Sequence, residues 1–169
     1  MYQRSLVLSS VLALGIAAPA SPVFAQQKSL KEQLIGTWTL VSWDGTRPDG
    51  TKYRDFGDNP KGVNTFDANG WFTAIFLRPD LPKSASGDRI NLTPDEALIF
   101  ARGSLSYFGT YNVVEADKMI VLRLEGTTFP NMAANARRVV TFISATELKY
   151  SNPGSTTGGQ LDVVWKRDK

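Results

Sequence analysis

From Thr37 onward, apolar and polar side chains alternate with a period of two in eight segments: Thr37 to Trp43, Gly62 to Asp67, Trp71 to Leu77, Leu105 to Val114, Met119 to Glu125, Arg137 to Ile143, Glu147 to Ser151 and Leu161 to Lys166. A period of two places successive side chains on opposite faces of a strand, so each segment predicts a strand with one buried face. Most joins are brief. Asp67-Ala68-Asn69-Gly70 carries Asn-Gly, chemistry for a turn that needs positive φ, and Glu115-Ala116-Asp117-Lys118 and Ser144-Ala145-Thr146 are similarly short. Short joins force antiparallel neighbours. Such a meander closes into a barrel or folds as a sandwich, and the barrel is preferred because closure removes the open edges that invite aggregation. The expected fold is all-β, an eight-stranded antiparallel up-and-down barrel with two short helices.

The helices interrupt the alternation. Lys28 to Ile35 places Leu30 and Leu34 on one face with Lys and Glu between, a short amphipathic turn suited to lie across a barrel end. Thr93-Pro94-Asp95-Glu96 combines a hydroxyl N-cap, Pro at the first helical position and a Glu able to reach back to the cap. That helix is expected to run to Arg102 and stop at Gly103, with Ala97, Leu98, Phe100 and Ala101 buried against the sheet or covering an opening. Asn91-Leu92-Thr93 also fits a glycosylation acceptor, but the Thr93 hydroxyl is read as the cap. Thr46 to Lys61 and Leu81 to Asn91 are polar and longer than hairpin turns, and are candidate rim loops.

The N-terminus reads differently. Arg4 is the only charge before Gln26, Leu6 to Ala18 is apolar, and Val23-Phe24-Ala25 has the form of a cleavage site. Residues 1–25 are therefore expected to be a cleavable signal peptide, and residues 26–169 a single domain without a permanent membrane span. The apolar run is shorter than the roughly 20 residues a span needs and is followed by Pro19 and Pro22. A periplasmic or secreted location follows as the expectation.

Composition narrows the chemistry. The 169 residues include no Cys and no His, which excludes disulfides, thiolate nucleophiles, His-ligated metals and imidazole triads. No metal or other cofactor is expected. The formal charge is +3, but acidic residues are spread among the 19 Lys and Arg, so no polycationic face and no nucleic-acid partner are implied. The pattern leaves the oligomeric state open.

Gly36-Thr37-Trp38, just after the first helix, resembles the Gly-x-Trp signature of the lipocalins and their calycin relatives. The same chain shows Asp49-Gly50, Asn59-Pro60-Lys61-Gly62, Asp67-Ala68-Asn69-Gly70, Arg78-Pro79-Asp80, Tyr107-Phe108-Gly109-Thr110-Tyr111, Glu125-Gly126, Phe129-Pro130-Asn131 and a closing Trp165. Together they resemble the bacterial and fungal lipocalin-like domain family over Leu34 to Arg167. The resemblance implies an eight-stranded calyx with a pocket for a small, largely apolar molecule. Members of that family often carry His in the strand before the Glu-Gly, whereas this chain has Leu122-Arg123-Leu124-Glu125, so no imidazole-dependent role carries over.

Individual residues sharpen the expectation. Trp38 reads as a barrel-closing residue, with Arg167 stacking on it and donating to nearby carbonyls. Tyr107, Gly109 and Tyr111 share a face with Leu105 and Val113; inward, both phenols are core or ligand contacts. Arg123 and Glu125 read first as a charged outer face opposite Ile120, Leu122 and Leu124. A sharper alternative turns Glu125 inward to pair with Arg138, which shares strand parity with Val140 and Phe142. An inward Arg138 is able to hold a ligand carboxylate bidentately. Asn64, within a strand, and Phe129, at a rim loop, complete the candidates, which are Asn64, Tyr107, Tyr111, Arg123, Glu125, Phe129 and Arg138. Two functional readings follow. One is an exported binder of a small hydrophobic or amphipathic molecule. The other is a cofactor-independent isomerase, cyclase or lyase in which Glu125 abstracts a proton and Arg138 or Tyr111 stabilises the oxyanion.

Overall fold

In the computed structural model, which describes residues 28–168, helix α1 (Leu30–Leu34) leads into nine strands. They are β1 (Gly36–Thr46), β2 (Lys52–Tyr53), β3 (Lys61–Phe66), β4 (Trp71–Leu77), β5 (Ser104–Val114), β6 (Met119–Thr127), β7 (Asn135–Ile143), β8 (Glu147–Asn152) and β9 (Gln160–Arg167), with α2 (Pro94–Gly103) between β4 and β5. The signal-peptide reading of residues 1–25 lies outside the described residues. Among the described residues no helix is long and apolar enough to cross a membrane.

Each of β3 to β9 pairs antiparallel with its sequence neighbour, β1 pairs with β3, and β1 also pairs with β9 from Trp38↔Arg167 to Thr46↔Gln160. The last pairing closes the sheet into an eight-stranded up-and-down barrel, as the alternation and the short joins predict. The two-residue β2, which lies inside the expected rim loop, adds only Gly45↔Tyr53 and Thr46↔Lys52 beside the end of β1.

The interior is unusually aromatic. Trp38, Trp43, Phe66, Phe72, Phe76, Tyr107, Tyr111, Tyr150 and Trp165 all point inward and are buried. Phe56, from the loop after β2, inserts among them at 5.1 Å from Trp43 and 5.9 Å from Phe76, centroid to centroid. Edge-to-face and offset contacts of this kind suit ring quadrupoles and fill the barrel centre with the protein's own side chains.

Three register shifts decide which residues reach that interior. Between Leu40 and Ser42 one extra residue, Val41, bulges outward, so that Trp43 faces in where strict alternation from Trp38 and Leu40 would turn it out. Between Val140 and Phe142 a second bulge turns Phe142 to the surface, where Lys149 Nζ lies 5.6 Å from its ring. The expected shared parity of Arg138, Val140 and Phe142 thus holds only for the first two. A third shift separates the pairs Phe108↔Gly126 and Gly109↔Leu124, leaving Glu125 as the extra residue. Gly109 makes that bulge possible, because a Cβ there would lie 2.0 Å from the carbonyl oxygen of Arg123.

The end at which β1 begins is sealed. Trp38 donates to the Leu34 carbonyl at 2.8 Å, and the Arg167 guanidinium lies 4.0 Å over its ring. Arg167 also donates to the carbonyls of Ile35 (2.7 Å), Ala145 (2.8 Å) and Gln33. Gly36, at φ 129°, allows this approach, since a Cβ would meet Arg167 Nη1 at 2.6 Å. α1 closes the end with buried Leu30 and Leu34, and the Glu115 carboxylate accepts from the backbone nitrogens of Leu30 (2.9 Å) and Lys31 (3.1 Å).

Candidate functional site: the open mouth of the barrel

Antiparallel connection places four long links at the opposite end: residues 47–60, 78–103, 128–134 and 153–159. Hydrogen bonds tie two of them together, from Tyr53 Oη to the Gly158 carbonyl (2.9 Å) and from Thr157 Oγ1 to Tyr53 Oη (2.9 Å) and Asp55 (3.1 Å). α2 has the predicted start, with Glu96 N donating to Thr93 Oγ1 at 3.2 Å and Thr93 N to the Glu96 carboxylate at 2.8 Å. Its apolar residues do not pack as expected: Leu98 is 46% and Ile99 43% exposed, and only Gly103 is buried. The reason is its neighbourhood, a loop rich in Pro, Ser, Asp and Arg that offers little apolar surface to cover it.

Two hollows open at this end. One, of about 410 Å³, is lined by Trp43, Leu105, Tyr107, Met132, Arg138 and Leu161, among others. The second, of about 530 Å³, shares Trp43, Leu105 and Thr156 with it and reaches Phe56, Arg102 and Phe129. At the floor of the first, Arg138 is 4% exposed. Its Nη1 donates to the Arg137 carbonyl at 2.8 Å and its Nη2 to Tyr107 Oη at 3.3 Å, and its guanidinium carbon lies 5.9 Å from the centre of the Tyr150 ring. Burial works against its charge, but the Tyr107 and Tyr150 hydroxyls outweigh that and leave its pKa raised. Burial also pushes the Tyr150 phenol well above its ordinary value, with the nearby Tyr107 phenol adding to the rise, so Tyr150 stays neutral. The Trp43 and Trp165 indole nitrogens are buried without a hydrogen-bond partner.

Of the residues singled out from sequence, Tyr107 and Arg138 meet in the first hollow and Phe129 stands at the edge of the second. The others are elsewhere. Tyr111 faces inward but near the sealed end, where its hydroxyl donates to the Asp67 carbonyl at 2.7 Å and so fastens the β3–β4 turn. Its phenol is raised above the ordinary range, by burial first and then by Asp67. Asn64 is buried inside the barrel opposite Trp38 and Ala74, and its Oδ1 has no partner among the described residues. Arg123 and Glu125 are exposed on the outer face. The sharper expectation, Glu125 turned inward against Arg138, is therefore corrected: Glu125 is the bulge residue of β6, beyond the stretch that pairs with β7. A proton-abstracting role for Glu125 in the pocket loses its geometry with it.

Sequence reasoning passed over Trp43, Tyr150 and Leu161. Leu161 carries the parity of Val163 and Trp165, and Tyr150 that of Leu148, so both were accessible to the alternation rule. Trp43 was not, because nothing in the pattern marks the bulge at Val41.

A closed antiparallel calyx, sealed by an N-terminal helix and a Trp–Arg stack and hollowed at its far end, defines a barrel of the lipocalin type. The chain belongs to the lipocalin-like domain family, whose model matches residues 35–167. Among solved structures it is similar to a lipocalin-like protein from Bacteroides uniformis ATCC 8492, at 18% identity over 80% of this chain and 99% of that one, with a TM-score of 0.44. It is also similar to a redesigned beta barrel, at 14% identity over 86% of this chain and 100% of that one, with a TM-score of 0.44. Closure of the barrel rests on the β1–β9 register rather than on these likenesses. Among curated proteins, none matches the sequence.

Proposed function

We propose that the protein is an exported carrier that holds a small amphipathic molecule in the barrel mouth, with the apolar body against Trp43, Leu105 and Leu161 and the polar end oriented by Tyr107 and Arg138. One observation carries this reading: a polar pair, Arg138 and Tyr107, buried at the floor of an open hollow that is otherwise largely apolar. Binding sites of small molecules have this composition, an apolar lining with a few placed polar groups. The apolar stretch before Gln26, which ends in Val23-Phe24-Ala25, supports export.

Native mass spectrometry of the protein recovered from its own host tests the carrier reading. A retained molecule on the order of a few hundred daltons is the expected result. Ala136 lines the hollow, and Ala136→Trp fills it, so this variant is expected to lose the retained mass while keeping its far-ultraviolet circular dichroism. A wild-type protein that retains nothing, or a variant that retains as much, overturns the proposal. N-terminal sequencing of the mature protein is expected to begin at Gln26.

A further inference from the structure

The first hollow has a sign. Arg137 and Arg138 line it, and no Asp or Glu does. Arg138 is buried, yet no carboxylate among the described residues lies within 4.0 Å of it; the ion pairs found join Arg54 to Asp44 and Asp58, Arg78 to Asp80, and Lys149 to Glu147. A buried guanidinium has five donors; Arg138 donates to one carbonyl and the Tyr107 hydroxyl, the Tyr150 hydroxyl also favours its charge, and none of these partners is a carboxylate. Removing a charge from water without a counter-charge is costly, and protein interiors normally pair it. Trp43 lines the same hollow with its ring, while its indole nitrogen is buried without a partner. Arg138 therefore offers hydrogens to an acceptor that the protein does not itself supply.

The hollow also has a depth limit. Below it the rings run in contact from Trp43 to Phe76 (4.4 Å), from Phe76 to Tyr107 (5.7 Å) and from Phe76 to Trp165 (5.5 Å), and Phe76 and Trp165 are fully buried. An extended acyl chain entering at the mouth meets this aromatic floor. A flat, compact body fits above it, with its face or edge against Trp43.

We propose that the ligand of this mouth is a compact aromatic carboxylate, its two oxygens on the Arg138 guanidinium and its ring against Trp43, Leu105 and Leu161. The inference rests on the carrier reading and adds the charge and size of the guest. Arg138 and a carboxylate complete the ion pair that the fold leaves open, in the bidentate geometry guanidinium favours. Arg137, next to it on the outer face of β7, adds positive potential near the hollow.

Calorimetric titration of the wild-type protein with 2-naphthoate, the neutral 2-naphthamide of nearly the same shape, and palmitate tests both parts. Because a hydrogen-bonded charge is at stake, 2-naphthoate is expected to bind about 30-fold more tightly than 2-naphthamide, and palmitate more weakly than either. Arg138→Met is expected to erase the difference between the naphthyl probes, and Arg138→Lys to keep part of it. The comparison of probes on the unaltered protein stands even if a variant fails to fold. Equal saturable binding of the two naphthyl compounds overturns the charge assignment and leaves the carrier reading intact. Palmitate as the tightest of the three overturns the compact guest. Failure of all three to bind overturns the inference, while retention in native mass spectrometry decides the carrier reading separately.

Discussion

Arg167, partly buried at the sealed end, and Arg138, buried near the mouth, are surrounded by the protein differently. Arg167 stacks on Trp38 and places its guanidinium nitrogens on three backbone carbonyls that end α1 and the β7–β8 turn. Burial pulls its pKa down, yet each direction of the planar group is met. Arg138 has one carbonyl, the Tyr107 hydroxyl, the nearby Tyr150 and the floor of an open hollow. The same side chain thus serves closure at one end and leaves a valence at the other. The difference separates a residue that the fold needs from one that the fold tolerates.

The largest test of that division falls on the sealed end. Trp38 fills the base of the barrel, donates to Leu34 and carries Arg167 on its face. Trp38→Ala is expected to destabilise the protein by about 3–5 kcal/mol in urea denaturation, the usual range for emptying a large aromatic site. A cost under about 1 kcal/mol would mean that the Trp–Arg closure is not what holds the ends of β1 and β9 together.

Next come the two arginines compared directly. Arg167→Met removes the stack and strands three carbonyls, with an expected loss of about 2–3 kcal/mol. Arg138→Met keeps most of the volume and removes a buried charge without a carboxylate partner, so its stability is expected to stay within about 1 kcal/mol of wild type or to rise. Paired urea curves of the two variants check this. A reversed order, with Arg138→Met the costlier, would make Arg138 a structural residue and abolish the contrast between the ends.

How much of this contrast was legible in the sequence depends on where the strands keep their period. Trp38, Arg167 and the Gly36-Thr37-Trp38 motif sit at strand ends with undisturbed parity, and their meeting followed from alternation and antiparallel pairing alone. The closed barrel and both helices were readable from local chemistry, α2 by its cap and α1 by the spacing of Leu30 and Leu34, whereas the Ser29–Glu32 cap of α1 went unread. The mouth was less so. Bulges at Val41, Glu125 and Thr141 each shift the inward set by one residue, through backbone pairing that leaves no mark on side-chain pattern. Trp43 therefore escaped notice, Phe142 was placed on the wrong face, and an inward Glu125 remained conceivable. Tyr111 was given to the pocket because a shared face says nothing of depth along a barrel. Tyr107 was identified because the β5–β6 bulge puts its extra residue on β6 and leaves the alternation of β5 intact, and Arg138 because the bulge of β7 lies beyond it, at Thr141.

The smallest expected effect compares the two helices. Both have a capping box, Ser29 with Glu32 in α1 and Thr93 with Glu96 in α2; Glu32 is exposed and Glu96 half-buried. Glu96 has its pKa lowered, first by the backbone N–H of Ala85 at 2.7 Å and then by that of Thr93. Glu32 is lowered by the Ser29 backbone and hydroxyl. A carboxyl depressed in the folded state stabilises it above its unfolded pKa, and that contribution is lost as the pH falls from there through the folded value. Both caps therefore weaken in acid, in the window just below the ordinary glutamate range. The consequence should differ, because α1 retains the buried Leu30 and Leu34, whereas α2 buries only Gly103 and depends on Glu96 to hold the loop at Ala85. Hydrogen-exchange protection is expected to fall first at the amides of Ala85 and Ala97 as the pH is lowered, with Gln33 retained until later. Simultaneous loss at the three amides would show that the two ends of the barrel open as one unit, and that the mouth has no local stability of its own to give up.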